Sequence, residues 1–228
     1  MGEQSETDRY FNALKQQIAA VFDGHQEEQR GLDHRKKYPW LTGYLGNPWS
    51  GIWFVGESPS LSKVERVSIA GKLAPTEETQ WCISKGDRLF RESLASSGFK
   101  EGSWDSPDGW NCYITDIIKS AYYSEVWNKK RRKERYLIAD VWSDVLKWEL
   151  ANSKPKLVVA MGRKVERLLR HLQEVKGLCL PSQMRRIPHY AYVASRPCGN
   201  RPPMDPDRIR DYEQEITAVA DAFQRIDS

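Results

Sequence analysis

The sequence contains no long apolar run, and this absence excludes a membrane-spanning protein. None of its 228 residues belongs to an apolar stretch near the roughly 20 residues that a transmembrane helix needs. The first ten residues, MGEQSETDRY, also lack the apolar core of a signal peptide. We therefore expect no membrane partner and a cytoplasmic location.

Cysteine is scarce as well, which argues against a metal site. The four cysteines lie far apart, at Cys82, Cys112, Cys179 and Cys198. They form no CxxC pair and none of the Cys/His spacings that zinc and iron–sulfur sites use. We expect free thiols, no metal and no cofactor.

The net charge is only +4, but the basic residues are unevenly distributed. Six of the seven residues in 129–135 (KKRRKER) are basic, and four more arginines lie near the C-terminus, at Arg185, Arg186, Arg196 and Arg201. Such a run is either a solvated loop or a surface that binds the phosphates of a nucleic acid.

Short apolar segments alternate with helical patterns along the chain. The periodicity predicts strands at 52–55, 112–118, 156–162 and 189–195, and helices at 7–28, 87–96, 135–151, 163–175 and 207–225. This alternation predicts an α/β fold, a three-layer αβα arrangement with a central, mostly parallel four-stranded sheet. We expect one domain over 1–228, with the helix at 7–28 packed on the core, and a monomer.

Sites in such folds lie on the loops that follow the strands. Here those loops begin at Gly56, Asp116, Gly162 and Ser195, and the first carries the pair Glu57 and Ser58 in VGESPS.

Four stretches in order resemble motifs of the uracil-DNA glycosylase superfamily, over roughly residues 50–200. VGESPS resembles the first motif of the GEAPG-type branch, and YITDIIKS is similar to the family's YITNVVKC. DRLFRESLASSGF and KPKLVVAMGRKVERLL resemble a helix and a strand–helix unit of the same family. The branch's iron–sulfur cysteines have no counterparts here.

The resemblance implies a base-flipping enzyme that cuts the bond between a base and its deoxyribose in DNA and leaves an abasic site. It places Glu57 and Ser58 in the loop that positions the hydrolytic water. It places Asp116 where the family carries an asparagine that reads the edge of uracil, and Trp81 near the family's stacking aromatic. The basic residues Lys129, Lys130, Arg131 and Arg132 then become candidate phosphate contacts, and Asn200 and Arg201 candidates to enter the duplex.

The last strand of the family ends in HPS, with the histidine beside the carbonyl of the base. With the last strand placed at 189–195, it ends in VASRPCGN, so we expect the histidine to be missing and Ser195 or Arg196 to take its place. On this placement His189 lies at the beginning of the strand, too far along it to substitute.

An aspartate at the base-reading position favours a base other than uracil. Asparagine offers an acceptor and a donor, which complement O4 and N3–H of uracil, whereas an ionised aspartate offers acceptors only. Cytosine presents an amino donor to such a group. Because unmodified cytosine is too common in DNA to be a safe target, the sequence predicts a modified cytosine and a role in defence against foreign genomes.

Three other readings stay open. The chain is a non-catalytic nucleic-acid-binding module with a glycosylase-like fold, a uracil-DNA glycosylase of base-excision repair, or a hydrolase or nucleotide-binding protein that shares only the architecture. For the last reading the sequence offers no P-loop, no GxGxxG after a strand and no GxSxG nucleophile elbow.

Overall fold

A central sheet of five strands organises the molecule. The computed structural model describes residues 5–25, 38, 41–61, 84–195, 197, 199 and 201–227. The strands are β1 (Tyr44–Gly46), β2 (Ile52–Gly56), β3 (Tyr113–Asp116), β4 (Leu157–Met161) and β5 (Gln183–Ile187). They lie in the order β1-β3-β2-β4-β5, with β1 antiparallel to β3 and every other pair parallel.

Of the three inner strands, β2 and β4 are apolar along their whole length because both faces of the sheet are covered. All five residues of each strand are buried. Trp53 and Val55 point into the core on one face of the sheet, and Ile52 and Phe54 into the core on the other face. Continuous apolar runs of this kind are typical of parallel sheets between two helical layers.

Seven helices lie in the described part of the chain. They are α1 (Glu6–Gly24), α2 (Lys85–Ser96), α3 (Ser124–Lys129), α4 (Arg132–Ser153), α5 (Arg163–Lys176), α6 (Tyr190–Ser195) and α7 (Pro206–Asp227). Helices α1, α4 and α5 supply the core on one face, and α2, α6 and α7 the core on the other. The predicted three-layer αβα fold is confirmed. None of these helices combines the length and the apolar character needed to cross a membrane.

The five predicted helices are present, with ends set by local capping. Ser5 accepts a hydrogen bond from the backbone N–H of Asp8, which begins α1. Ser84 and Asp87 form a reciprocal capping box at the start of α2. Helix α1 ends at Gly24 rather than near residue 28, because His25 is already extended.

The predicted fourth strand at 189–195 is wrong. Residues 190–195 form the short helix α6, and the last strand is β5, which begins six residues before the predicted strand. Strand β5 lies at the edge of the sheet, so most of its side chains, including Arg185 and Arg186, face solvent and give no apolar pattern. The three-residue edge strand β1 was also missed, which is why four strands were predicted instead of five.

Candidate active site

The carboxyl ends of the four parallel strands surround one cavity of about 260 Å³, which we call the central pocket. Four of its polar lining residues follow the strands: Glu57 and Ser58 after β2, Asp116 at the end of β3, and His189 after β5. Asp87 and Arg91 of α2 also line it, with Ser60, Ser124 and Asn128. Met161 at the end of β4 closes the floor. The parallel topology therefore brings together side chains that are more than 130 residues apart in sequence.

Backbone hydrogen bonds fix the loop that carries Glu57 and Ser58. The N–H of Ile117 donates to the carbonyl of Gly56 at 3.0 Å, and the N–H of Ile118 donates to the carbonyl of Glu57 at 3.1 Å. The loop after β2 thus continues the pairing of its strand with the chain after β3. Both predicted catalytic residues lie in the central pocket on a rigid backbone.

Glu57 is held by Arg135, the last residue of the basic run at 129–135. Nη1 of Arg135 lies 3.4 Å from Oε1 of Glu57, with 11% and 17% of the two side chains exposed. Arg135 also donates to the carbonyls of Trp127, at 2.9 Å, and Lys130, at 3.2 Å. Three partners fix the guanidinium, so the carboxylate of Glu57 meets a preorganised positive charge.

Asp116 is only 7% exposed and lies against the backbone of β2. A Cβ at Gly56 would overlap Oδ1 of Asp116, so this position of the first motif has room only for glycine. Burial raises the pKa of Asp116 to about 7. Lys119 opposes this shift of the pKa, whereas the carboxylates of Glu57 and Glu149 add to it.

A buried ion pair lies behind Asp116. Nζ of Lys119 and Oε2 of Glu149 are 2.8 Å apart, and both side chains are fully buried. The hydroxyls of Tyr113 and Thr115 each donate to Oε1 of Glu149 at 2.8 Å, and Lys119 also contacts the hydroxyl of Thr115. These polar groups satisfy one another, as a buried ion pair requires, and they anchor β3 to α4 beneath the pocket.

Asp116→Asn is expected to stabilise the protein at alkaline pH. Because the folded pKa lies above the ordinary 3.8, the folded chain holds a proton between about pH 4 and 7 that the unfolded chain has lost. The free energy of unfolding therefore falls as pH rises through this window. Asparagine does not ionise, so the Asn variant does not lose this stability. At pH 8 we expect it to have a higher melting temperature than the wild type and a free energy of unfolding larger by up to roughly a few kcal/mol. At pH 5 we expect a smaller difference between the two proteins.

Thermal unfolding of both proteins at pH 5 and pH 8 measures this difference. Asp144→Asn makes the same change on an exposed side chain of α4 and serves as the control. Equal shifts at both pH values for Asp116→Asn would show that burial does not hold the proton on Asp116.

The expectation that the pocket lacks a histidine is wrong. Strand β5 ends at Ile187, and His189 follows two residues later, where its ring lines the central pocket. The N–H of Ala191 donates to Nδ1 of His189 at 3.1 Å. Since Nδ1 accepts this bond, the proton of the neutral ring resides on Nε2, which makes Nε2 a donor.

The prediction that Ser195 takes the place of a histidine in the pocket is wrong. Ser195 is the last residue of α6, it is exposed, and it lines a larger groove of about 1080 Å³ instead of the central pocket. The prediction failed because the strand it was meant to terminate is a helix. The predicted site residues Trp81, Arg196 and Asn200 lie outside the described residues.

Arg201 is exposed and not among the residues that line the central pocket. Its guanidinium lies 3.5 Å from the carboxylate of Asp211 on α7. The structure thus gives Arg201 an intramolecular partner, and its proposed entry into a duplex stays a prediction.

The four predicted phosphate contacts lie where α3 meets α4, next to the pocket. Lys129 ends α3 and Arg131 precedes α4, and both side chains are exposed. Lys130 and Arg132 line a second cavity, whose wall also includes Glu57. The basic run is therefore adjacent to the loop of the first motif, as the sequence predicted.

The aromatic lining of the pocket was not recognised from the sequence. Phe90 on α2 and Tyr190 on α6 stack with their rings 5.2 Å apart and nearly parallel, and both line the central pocket. Tyr122 and Trp127 line it from the chain after β3. A flat apolar surface beside convergent polar groups suits a heteroaromatic ring.

A family model supports the same reading of the pocket. The model described as the uracil DNA glycosylase superfamily matches residues 44–211, well over half of the chain. The chain belongs to this superfamily. The match spans the loop of Glu57, Asp116, the basic run and His189, and it supports DNA glycosylase activity with DNA as the partner in general terms. No curated protein matches the sequence.

The two cysteines that the structure describes are not among the residues that line the central pocket. Cys112 is a free thiol buried in the core, and Cys179 is a free thiol at the surface. Within the described ranges, no three His, Cys, Asp or Glu side chains are grouped so that they could hold a metal ion.

Proposed function

We propose that this superfamily member is a DNA glycosylase that draws a base out of DNA into the central pocket, hydrolyses its N-glycosidic bond and leaves an abasic site. The observation that carries the proposal is the convergence of Glu57, Asp116 and His189 on one cavity of about 260 Å³. Such a cavity is closed enough to hold one base and offers acids, a donor and aromatic surface.

Glu57 is the residue that acts on the sugar. Glycosidic cleavage develops positive charge on the deoxyribose, and a nearby carboxylate stabilises that charge and orients the attacking water. The ion pair with Arg135 holds Glu57 in place. The hydroxyl of Ser58, the next residue of the same loop, lines the pocket and is placed to bind the same water.

His189 acts on the leaving base. Departure of the base places negative charge on its ring, and a hydrogen-bond donor at the base carbonyl lowers the cost of that charge. With Nδ1 bound to the backbone of Ala191, the neutral ring presents Nε2–H as this donor. This assignment removes one of the two arguments for a non-catalytic binding module, the expected absence of the histidine, and leaves the other, the variant GESPS of the first motif.

Asp116 reads the base edge, and its ionisation decides which base it fits. When ionised, Asp116 only accepts hydrogen bonds and suits the amino group of cytosine. We therefore propose a modified cytosine as the main target and a role in defence against genomes that carry such bases. When protonated, the same carboxyl both donates and accepts, as asparagine does. The raised pKa of Asp116 thus favours uracil as a second candidate substrate at lower pH.

A base-release assay tests the proposal. Purified protein is incubated with oligonucleotides that carry uracil, cytosine, 5-methylcytosine, 5-hydroxymethylcytosine or glucosylated hydroxymethylcytosine, and alkali-labile abasic sites are scored at pH 6 and pH 8. Release from a modified cytosine at pH 8 supports the main proposal, and release from uracil alone supports the repair reading. If no substrate releases its base while DNA binding persists, the proposed enzyme activity is contradicted and the binding module is favoured.

A further inference from the structure

A second cavity, of about 250 Å³, adjoins the central pocket, and we call it the basic cleft. It lies between the start of α4 and the start of α5, with Tyr136 and Leu168 among its lining residues. Five cationic side chains line it: Lys130, Arg132, Arg135, Lys164 and Arg167. Three of these belong to the basic run, and two come from α5, which the sequence analysis had not connected with it.

The positive charge of the basic cleft is not neutralised from within. Among the described residues that line the cleft, Glu57 is the single carboxylate, and it is already paired with Arg135. In the part of the chain that the structure describes, the side chains of Lys130 and Arg167 make no ion pair. By contrast, Arg170, one turn after Arg167 on α5, is paired with Glu166. Unpaired cations gathered in a concavity create a strong local positive potential.

Two arginines of the cleft are held in place by contacts within the protein. Nε of Arg132 donates to the hydroxyl of Tyr136 at 2.7 Å, and its guanidinium lies 5.1 Å from the centre of the same ring. Arg135 is fixed by the carbonyls of Trp127 and Lys130. Planar guanidinium groups held in place suit the tetrahedral oxygens of a phosphate, because little side-chain freedom is lost on binding.

We propose that the basic cleft binds a backbone phosphate of DNA directly adjoining the flipped nucleotide. This inference rests on the proposed function, since it takes the central pocket as the site of the base. Glu57 lines both cavities, so a nucleotide with its base in the central pocket has its sugar at Glu57. A phosphate bonded to that sugar is then within reach of the cleft. Phosphate contacts of this kind fix the position of the strand.

The proposal distinguishes among the basic residues. Lys130, Arg132, Lys164 and Arg167 line the cleft, whereas Lys129 and Arg131 do not. Arg131 instead pairs with Glu134 at 3.1 Å, on an exposed surface. The strongest phosphate contacts are therefore expected to come from α3–α4 and α5 together and not from the sequence-contiguous run alone.

The first test compares two double variants with the same loss of charge. Lys130→Gln with Arg167→Gln removes two unpaired cations of the cleft. Arg88→Gln with Arg170→Gln removes two exposed cations that are paired on α2 and α5 and lie outside the cleft. Affinity for a duplex with a tetrahydrofuran abasic analogue is measured against salt concentration. We expect the magnitude of the slope of log K against log salt to fall by about 1 for the cleft variant, because one phosphate contact is lost, and to change little for the control.

The second test locates the phosphate. Single phosphates on either side of the abasic analogue are replaced by neutral methylphosphonates, and affinity is measured for the wild type and the cleft variant. We expect one substitution beside the analogue to weaken wild-type binding about tenfold and to have little effect in the cleft variant. Such non-additivity is the sign of a direct contact. Additive losses at every position, or equal salt slopes for the two double variants, would overturn the proposal.

These outcomes separate the cleft from the glycosylase activity. Coupling between the cleft and one phosphate, without release of any base, would support the phosphate site and contradict the proposed glycosylase activity. Base release without such coupling would support the glycosylase activity and contradict the phosphate site. Melting temperatures of both double variants verify that the fold is intact.

Discussion

Asp116→Asn is expected to redirect the glycosylase from cytosine-type bases to uracil. In the wild type at pH 8, the ionised carboxylate accepts from the amino group of a cytosine and faces the O4 acceptor of uracil without a donor. The asparagine amide supplies that donor. Because Asp116 is only 7% exposed, water cannot compensate for a mismatch there. A buried hydrogen-bond mismatch discriminates by up to about 10⁴, so the ratio of uracil to cytosine-type release should rise by several orders of magnitude.

The same ratio should depend on pH in the wild type and not in the variant. The pKa of Asp116 is about 7, so the carboxyl is mostly protonated at pH 6 and mostly ionised at pH 8. Above the pKa, the protonated fraction falls about tenfold per pH unit, and uracil release relative to cytosine-type release should fall with it. Asparagine has no proton to lose in this range, so its ratio should stay flat.

Single-turnover rates on paired substrates between pH 6 and pH 8.5 measure this effect. The ratio of the two rates is compared, because an effect of pH that does not depend on the base changes both rates together. A wild-type ratio that does not vary with pH, or an Asn variant with unchanged base preference, would remove Asp116 from the role of base reader.

The interior of the fold could be predicted from the sequence because its elements carry their own signals. The buried strands β2 and β4 are continuous apolar runs, and β3 lies in the mostly apolar segment CYITDII. Ser5 and Ser84 mark the starts of α1 and α2. These signals placed Glu57, Ser58 and Asp116 on loops at one edge of the sheet, where the structure has them.

The edges of the sheet could not be predicted in the same way. Strand β5 owes its place to backbone pairing with β4, and its exposed Arg185 and Arg186 look like a loop in the sequence. Helix α6 is rich in tyrosine and valine, which favour strands, but it packs against α2 and α7 as a helix. That single exchange moved the expected site from His189 to Ser195.

The buried ion pairs could not be predicted from the sequence for a different reason. Lys119 and Glu149 are each, taken alone, residues expected at the surface, and 30 positions separate them. Only the packing of α4 on β3 shows that they form a fully buried pair. Likewise, nothing in the run at 129–135 indicates that Arg135 turns inward to Glu57 while its neighbours face solvent. Partner choice is a property of the tertiary structure.

Glu57→Gln is expected to abolish most base release and to leave DNA binding intact. Glutamine has the shape of glutamate but no charge, so it cannot stabilise the positive charge that develops on the deoxyribose. Loss of one preorganised electrostatic group of this kind costs about 10²- to 10³-fold in rate. The loop should keep its conformation, because Arg135 retains its bonds to the carbonyls of Trp127 and Lys130.

The affinity for DNA gives the second half of this prediction. Glu57 is the one carboxylate among the residues that line the basic cleft, so its neutralisation should leave binding unchanged or make it slightly tighter. Single-turnover rates at saturating enzyme separate the chemical step from binding. Glu174→Gln, an exposed position on α5, supplies the same change of charge outside the pocket. A Glu57→Gln protein that releases bases at the wild-type rate would place the chemistry on another group, whereas equal losses of rate and affinity would make Glu57 a binding residue.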